Sequence, residues 1–173
     1  MKRESFNSGW LFCHGSGTAL ESTVNGAQTP VPVMLPHDAM IGEARDSQTP
    51  TGNATGYYPV GTVHYTKEFE WDNDSGTAYL EFEGVYHNAA VYINGRLAAQ
   101  HPNGYTAFTV DISSFLNPGK NTVKVLVRNG VPSSRWYTGT GIYRDVWLLQ
   151  AGNVHIAPNG VKIMVTETDE ETA

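Results

Sequence analysis

The sequence predicts an all-β fold built from two antiparallel sheets packed face to face. Two observations indicate it: apolar and polar residues alternate over several short segments, and clusters of turn residues separate those segments. No window has the apolar spacing of a convincing amphipathic helix. With 173 residues, the chain is long enough for one domain with a hydrophobic core.

The alternation is clearest between residues 63 and 71. One face of this predicted strand carries Val63, Tyr65, Phe69 and Trp71, and the other carries His64, Thr66, Glu68 and Glu70. The pair Asn94-Gly95 is the strongest two-residue hairpin signal, so strand 90–93 should return through 96–100. Further strands are predicted at 78–82, 123–127 and 144–149, and a single helical turn at 113–116 before Asn117-Pro118-Gly119.

Two segments within the domain lack the strand pattern. Residues 24–34 read as an irregular loop entering a strand, and residues 42–61 as a long polar loop, which in a compact domain is usually functional or disordered. We expect one domain over residues 1–153. Residues 154–173 are expected to be an exit linker followed, at 161–165, by the first strand of a truncated next domain.

Composition argues against several classes of function. The net charge is −6 and the eleven Lys and Arg residues are scattered, so we expect no nucleic-acid partner and no membrane partner. The single cysteine, Cys13, cannot form an internal disulfide. No signal-peptide pattern opens the chain, so a cytoplasmic location is expected. No metal-ligand spacing or nucleotide loop occurs, so we expect neither a metal nor another cofactor.

Five motifs in a consistent order carry a family resemblance. They are Phe6-Asn7-Ser8-Gly9-Trp10, Leu35-Pro36-His37-Asp38-Ala39, residues 80–95, residues 101–113 and residues 133–148. Together they resemble the N-terminal domain of family 2 glycoside hydrolases, and Ser134-Arg135-Trp136-Tyr137 resembles the β-galactosidase group. The likeness runs from Phe6 to Pro158. Where many relatives have Trp-Tyr-Arg-Lys, this chain has His64-Tyr65-Thr66-Lys67.

The resemblance implies more than the residue pattern alone. It implies a jelly-roll strand order of the galactose-binding-domain type, with an immunoglobulin-like domain and a catalytic barrel following in the parent enzyme and contacting this domain. It implies retaining hydrolysis of terminal β-galactosides by a parent that is a homo-oligomer, with the carbohydrate as partner. A β-glucuronidase or β-mannosidase parent is the alternative, because the family processes those sugars too.

The chain itself is predicted to lack the catalytic groups. A retaining glycosidase uses two carboxyl groups about 5 Å apart, and the family carries its acid/base on an Asn-Glu pair late in the chain. No Asn-Glu dipeptide occurs here. The glutamates of the predicted strands lie at alternating positions, which favours a solvated face. Glu83, at a strand end before Gly84, is the least ordinary of them, and a structural role is still favoured.

Four residues are candidates for binding substrate in the parent: Arg135, Trp136, Asp38 and Asn53. An arginine fork can hydrogen-bond adjacent sugar hydroxyls, and an indole can lie against the C–H face of a sugar. The alternatives are that Trp136 plugs the end of the sandwich and that Arg135 pairs with a carboxylate. For Asp38, next to His37, we expect a hydrogen-bonding role toward the backbone or Arg135. Asn53 lies on the long polar loop and could reach substrate or be merely solvated.

Three functions therefore compete. The first is an accessory domain that supports the catalytic barrel and lends loop residues to its active-site rim. The second is a stand-alone carbohydrate-binding module, and the third is a structural sandwich that binds no sugar. A stand-alone module would need several polar groups converging on one pocket. Only Arg135 and Trp136 are visible as such groups in the sequence.

Overall fold

A computed structural model describes residues 1–26, 28–72, 76–130 and 137–167. Within those ranges the chain forms ten strands, one short α-helix, and 3-10 turns at Gly52–Thr55 and Ser113–Phe115. The helix α1 spans Ala19–Asn25. The strands are β1 Lys2–Ser5, β2 Trp10–His14, β3 Val31–Val33, β4 Thr62–Trp71, β5 Thr77–Phe82, β6 Ala89–Ile93, β7 Arg96–His101, β8 Phe108–Asp111, β9 Gly119–Arg128 and β10 Val146–Ala151.

The strands form two antiparallel sheets. The four-stranded sheet has the order β1-β10-β5-β8, and the six-stranded sheet has the order β3-β2-β4-β9-β6-β7. The longest ladder joins β4 to β9, from the pair Thr62–Arg128 to the pair Trp71–Gly119. The all-β prediction with two antiparallel sheets is therefore confirmed.

The core lies between the sheets and is built by strand alternation. Side chains of β4, β6 and β9 that face inward meet those of β5 and β10 in one continuous apolar cluster. Tyr65, Leu80 and Phe82 are among its fully buried members. Residues of β4 at the intervening positions, such as Glu68 and Glu70, are exposed. The two-residue period read from the sequence thus assigns the inner face of β4 correctly.

One inward position of β4 holds a charged residue. Lys67 lies between Tyr65 and Phe69 in the strand and is half-buried; its Nζ donates to the carbonyl oxygen of Phe6 at 3.0 Å. The same carbonyl accepts a hydrogen bond from Trp10 Nε1 at 2.8 Å. Nζ also lies 3.6 Å from the centre of the Phe6 ring, a cation–π contact. Burial lowers the pKa of Lys67 to about 8.

Most predicted elements are confirmed and three are not. β4, β5, the β6–β7 hairpin and the single helical turn lie where the sequence places them, whereas β10 begins at Val146 rather than at residue 144. The prediction that residues 42–61 lack regular structure misses the short turn Gly52–Thr55. Residues 161–165 form no strand and have exposed apolar side chains; Ile163 is 87% exposed. The domain boundary at 153/154 stays a prediction.

Helix α1 was not predicted from the sequence, and neither were strands β1, β2 and β8. The apolar residues Leu20 and Val24 of α1 are 75% and 73% exposed. The helix therefore has no buried apolar face that a sequence pattern could indicate. A capping signal was nevertheless present, because the Thr18 side chain accepts from the backbone amide of Glu21. Threonine followed three residues later by glutamate is typical of a helix start. None of the helices in the described ranges is long and apolar enough to cross a membrane.

Lys67 yields a prediction about pH and stability. Its pKa is about 8 in the folded state, below the ordinary 10.5, so between those values the unfolded chain binds more protons. Stability contributed through this group therefore rises as the pH increases from about 8 toward 10.5. We expect the difference in unfolding free energy between the wild type and Lys67→Met to shift in favour of the wild type over that range. Urea unfolding at several pH values measures it.

The matched control is Lys120→Met. Lys120 is exposed on β9 and pairs with Glu68 at 2.8 Å, which raises its pKa. The contribution of Lys120 to the free energy of unfolding should therefore stay constant between pH 8 and 10 and decrease only at higher pH. An equal pH-dependence for both variants would contradict the assignment to Lys67.

Candidate functional site

Several loops gather at one end of the sandwich, which we call the loop end; its described residues are 35–41, 52–58, 84–88 and 137–142. Backbone hydrogen bonds hold these segments together. The amide of His37 donates to Ile142 at 2.8 Å, and the amide of Ala39 donates to Thr140 at 2.7 Å. Tyr86 and Gly141 exchange two backbone hydrogen bonds across an isolated bridge.

Asp38 holds two of these segments in place. Its Oδ1 accepts from the amides of Met40 at 3.0 Å and Thr140 at 2.9 Å, and its Oδ2 accepts from the Tyr137 hydroxyl at 2.8 Å. Burial, followed by the Asp38 hydrogen bond and negative charge, raises the pKa of Tyr137. Tyr137 therefore keeps its proton and remains a donor to the carboxylate.

Asn129 anchors the chain as it leaves β9. Its side chain is buried, and Nδ2 donates to the carbonyl oxygen of Gly139 at 3.1 Å and to Oγ1 of Thr140 at 2.7 Å. Together with Asp38, this amide ties both flanks of the segment 131–136 to the sandwich. The flanks of the segment that contains Arg135 and Trp136 are therefore held by hydrogen bonds to buried or half-buried groups.

A second set of hydrogen-bonded polar groups lies beneath the loop end. The amide of Ile142 hydrogen-bonds to the Tyr65 hydroxyl, which is 2.8 Å from Nδ1 of His37. Burial raises the pKa of Tyr65 and lowers the pKa of His37, although the charge of Asp38 opposes the shift at His37. Both groups are thus neutral near pH 7. A side chain at Gly141 would collide with the Tyr65 hydroxyl, since a Cβ would lie 2.1 Å from it.

The long polar loop is more ordered than its sequence suggests. Thr51 and Thr55 are buried, and their hydroxyl oxygens are 2.6 Å apart. The ring of Tyr58 contacts the ring of Tyr137 edge-on, with centroids 5.2 Å apart. This contact joins the loop to the segment that Asp38 holds.

A small cavity of about 110 Å³ opens beside these loops. Met40 and Thr140 line it, together with His14 and Glu43, whose Nε2 and Oε1 atoms are 2.9 Å apart. The carboxylate of Glu43, which lines the cavity, is thus engaged with a protein group, as is that of Asp38. In the described ranges no group of three or more His, Cys, Asp or Glu residues is arranged to hold a metal ion.

The structure gives different answers for the four candidate residues. For Asp38 it shows the expected hydrogen bonds to backbone amides. Asn53 is exposed on the turn Gly52–Thr55, and its carbonyl oxygen accepts from Gly56 at 3.1 Å. Arg135 and Trp136 lie outside the described residues. A substrate-binding role stays a prediction for all four.

Glu83 has the structural role that the sequence favoured. Its Oε1 accepts from Arg3 at 2.9 Å and from Trp147 Nε1 at 2.9 Å. The Arg3 guanidinium also lies over the Trp147 ring, 3.9 Å from its centre. These contacts lie on the outer face of the four-stranded sheet.

Tyr65, Asn129 and Tyr137 organise the loop end, and none of them was predicted to do so from the sequence. Tyr65 lies at an inward-facing position of β4, like an ordinary core residue. The alternating pattern therefore does not indicate which group its hydroxyl contacts. Asn129-Gly130 directly after a strand was a usable turn signal, because asparagine side chains commonly bond to nearby backbone.

A two-sheet β domain with a hydrogen-bonded loop end has many known relatives. The family described as "Glycosyl hydrolases family 2, sugar binding domain" matches residues 39–152. "Beta-galactosidase BoGH2A" of Bacteroides ovatus is 37% identical over 99% of this chain. A "Putative beta-glucuronidase" of Formosa agariphila is 37% identical over 79% of it. The chain belongs to the family 2 glycoside hydrolases, as their N-terminal sugar-binding domain.

Solved structures agree with this assignment. A β-glycosidase from Bacteroides vulgatus superposes with a TM-score of 0.73 and 32% identity, over 88% of this chain and 20% of that one. A family 2 member from Bacteroides cellulosilyticus has a TM-score of 0.75 and 31% identity, over 88% and 21%. The chain spans 21% of the length of the Bacteroides ovatus relative and 14% of the Formosa agariphila one.

The contacts of Asp38 predict its contribution to stability. Asp38→Ala removes three hydrogen bonds to a carboxylate and leaves two amides to find new partners. Hydrogen bonds to charged groups contribute about 1.5–3 kcal/mol each, partly offset by water, so we expect a loss of roughly 2–3 kcal/mol in unfolding free energy. Urea denaturation measures it.

Asp46→Ala is the matched control. Asp46 is exposed and accepts one amide hydrogen bond, from Gln48 at 2.8 Å. Asp46→Ala should lower the free energy of unfolding by no more than about 1 kcal/mol. Equal losses for the two variants would show that Asp38 does not organise the loop end.

Proposed function

We propose that this domain serves a parent enzyme that hydrolyses terminal β-galactosides with retention. In that role it supports the catalytic barrel, and its loop end contributes residues to the active-site rim. The observation that carries the proposal is that hydrogen bonds hold the residues on both flanks of the segment 131–136. Asn129 holds one flank, and Asp38 holds the other through Tyr137 and Thr140. Binding residues on loops are effective when a rigid scaffold positions them.

We propose a β-galactosidase parent rather than a β-glucuronidase parent because the similarity to the relative named a β-galactosidase extends over more of this chain. The relative named a β-galactosidase matches 99% of this chain, and the putative β-glucuronidase of equal identity matches 79%. A second Formosa agariphila protein, also named a putative β-glucuronidase, matches 99% at 32% identity, so a glucuronidase parent is the second candidate. Assay of the parent on chromogenic β-galactoside and β-glucuronide decides between them.

Two finer features belong to the same proposal. We propose a jelly-roll order for the strands, supported by the two sheets and by the motif order along the sequence. We also propose that the downstream immunoglobulin-like and barrel domains contact this one, with residues 154–167 leading toward them. The exposed apolar side chains of Ile163, Met164 and Val165 support a site that another domain covers.

The chain by itself should fold cooperatively and hydrolyse nothing. The glutamate that the sequence singled out, Glu83, is engaged by Arg3 and Trp147 and is therefore not free for acid/base work. Incubation of the pure chain with a chromogenic β-galactoside should give no turnover. Turnover that disappears in Glu83→Gln would refute this and make the chain an enzyme in its own right.

Arg135 provides the sharper test in the parent enzyme. If its guanidinium contacts a sugar hydroxyl, Arg135→Ala should lower kcat/KM by about one to two decades, the equivalent of 1.5–3 kcal/mol. The melting temperature should stay unchanged. Activity per folded molecule and thermal unfolding, measured on the same preparation, check both.

Arg96→Ala is the control for that variant. Arg96 is an exposed arginine on β7 that lies over the Phe115 ring, and its loss removes the same charge. It should leave kcat/KM unchanged. A destabilised Arg135→Ala enzyme with normal kinetics would assign Arg135 to an internal ion pair and remove it from the rim.

A further inference from the structure

The outward face of the six-stranded sheet forms a second concave surface, away from the hydrogen-bonded core of the loop end. Strand alternation along β9 turns Thr122, Lys124, Leu126 and Arg128 outward, and the register places Lys124 beside Thr66 of β4 and Tyr92 of β6. With the loop at residues 16–18, these six residues line a groove of about 440 Å³, here called the outer groove. From Thr122 to Arg128 it extends along seven residues of strand, or about 20 Å.

The polar groups of the outer groove have few partners in the protein. Within the described ranges, neither the Arg128 guanidinium nor the Tyr92 hydroxyl makes a hydrogen bond or ion pair. Lys124 Nζ has one long contact, 3.4 Å from the carbonyl oxygen of Gly17. An arginine fork, an ammonium and a phenol thus face one depression with most of their donors unused.

The charge of the outer groove is opposite to that of the domain. The chain carries a net charge of −6, yet the groove is lined by two cations and no carboxylate. Two acidic residues beside the lining are already engaged: Glu68, opposite Thr122, pairs with Lys120 at 2.8 Å, and the Glu21 carboxylate contacts the amide and hydroxyl of Ser16. An anionic ligand would therefore meet electrostatic attraction in the outer groove, although the chain as a whole is acidic.

We infer that the outer groove binds an acidic oligosaccharide, one that carries carboxylate or sulfate groups. The Arg128 fork matches the paired oxygens of such a group, and Lys124 supplies a second positive charge four residues away on the same strand, at a distance of about 13 Å. The Tyr92 ring lies against the C–H face of a sugar, and the hydroxyls of Thr66 and Thr122 meet sugar hydroxyls. This site is independent of the parent's catalytic activity, and it gives the domain a hold on the polymer beyond the reacting sugar.

Isothermal titration of the 173-residue chain tests the inference with three probes at low salt. They are trigalacturonic acid, a sulfated galactose tetrasaccharide and a neutral galactose tetrasaccharide. We expect at least one acidic probe to bind about tenfold or more tightly than the neutral one, and its affinity to fall as salt rises from about 20 mM to about 300 mM. Binding of one acidic probe alone identifies the anion.

Two variants and a control locate the binding. Arg128→Ala and Tyr92→Ala should each weaken the acidic probe by about tenfold, the size expected from losing a charge-assisted contact or an aromatic platform. Arg144→Ala removes an exposed arginine before β10, on the other sheet, and should leave affinity unchanged. Thermal unfolding checks that all three variants remain folded.

The outcomes are decisive in both directions. Failure of both acidic probes to bind the folded chain overturns the inference, as does equal affinity for the neutral probe without salt dependence. An equal loss in Arg144→Ala would show attraction by overall charge rather than by the outer groove, and would overturn it too. An inactive parent would leave this test unaffected, since it measures binding by the domain alone.

Discussion

The ladder between β4 and β9 is the constraint on which the other features depend. Ten residue pairs join the two strands, from Thr62–Arg128 to Trp71–Gly119. Because side chains alternate across a strand, the register of this ladder determines which residues face the core and which face outward. The inward set closes the core against the four-stranded sheet, and the outward set, from Thr122 to Arg128, lines the outer groove. A slip by one residue would exchange them, placing Lys124 in the core and Val125 in water.

Polar groups inside the sandwich are satisfied in pairs and chains. The carbonyl of Phe6 serves both Trp10 and Lys67, which joins the chain after β1 to the inner face of the other sheet. In the described part of the chain, no buried side-chain nitrogen or oxygen is without a hydrogen-bond partner. Unpaired buried polar groups are costly, so these networks restrict the geometry more than the apolar contacts do. The same logic at Asp38 and Asn129 explains how a segment between two strands is held at both flanks.

The two proposed surfaces divide the work of a sugar-binding domain. At the loop end, the side chains of Asp38 and Asn129 make hydrogen bonds that hold the loops in place. This arrangement suits the proposed accessory role beside an active site that other domains complete. On the outer groove, by contrast, Arg128 and Tyr92 have unused donors and face solvent. The chain covers about a fifth of the length of its Bacteroides ovatus relative.

The sequence by itself determined the fold class, most strands, the hairpin at Asn94-Gly95 and the family. It could do so because strand period, turn chemistry and motif order are local properties of the chain. It also predicted the hydrogen-bonding role of Asp38, since aspartate side chains commonly hydrogen-bond to nearby backbone groups. The partners of that carboxylate, Thr140 and Tyr137, lie about a hundred residues away, and only the tertiary structure brings them together. Tyr65, Lys67 and the outer groove were decided in the same way, because burial and convergence depend on which strands become neighbours.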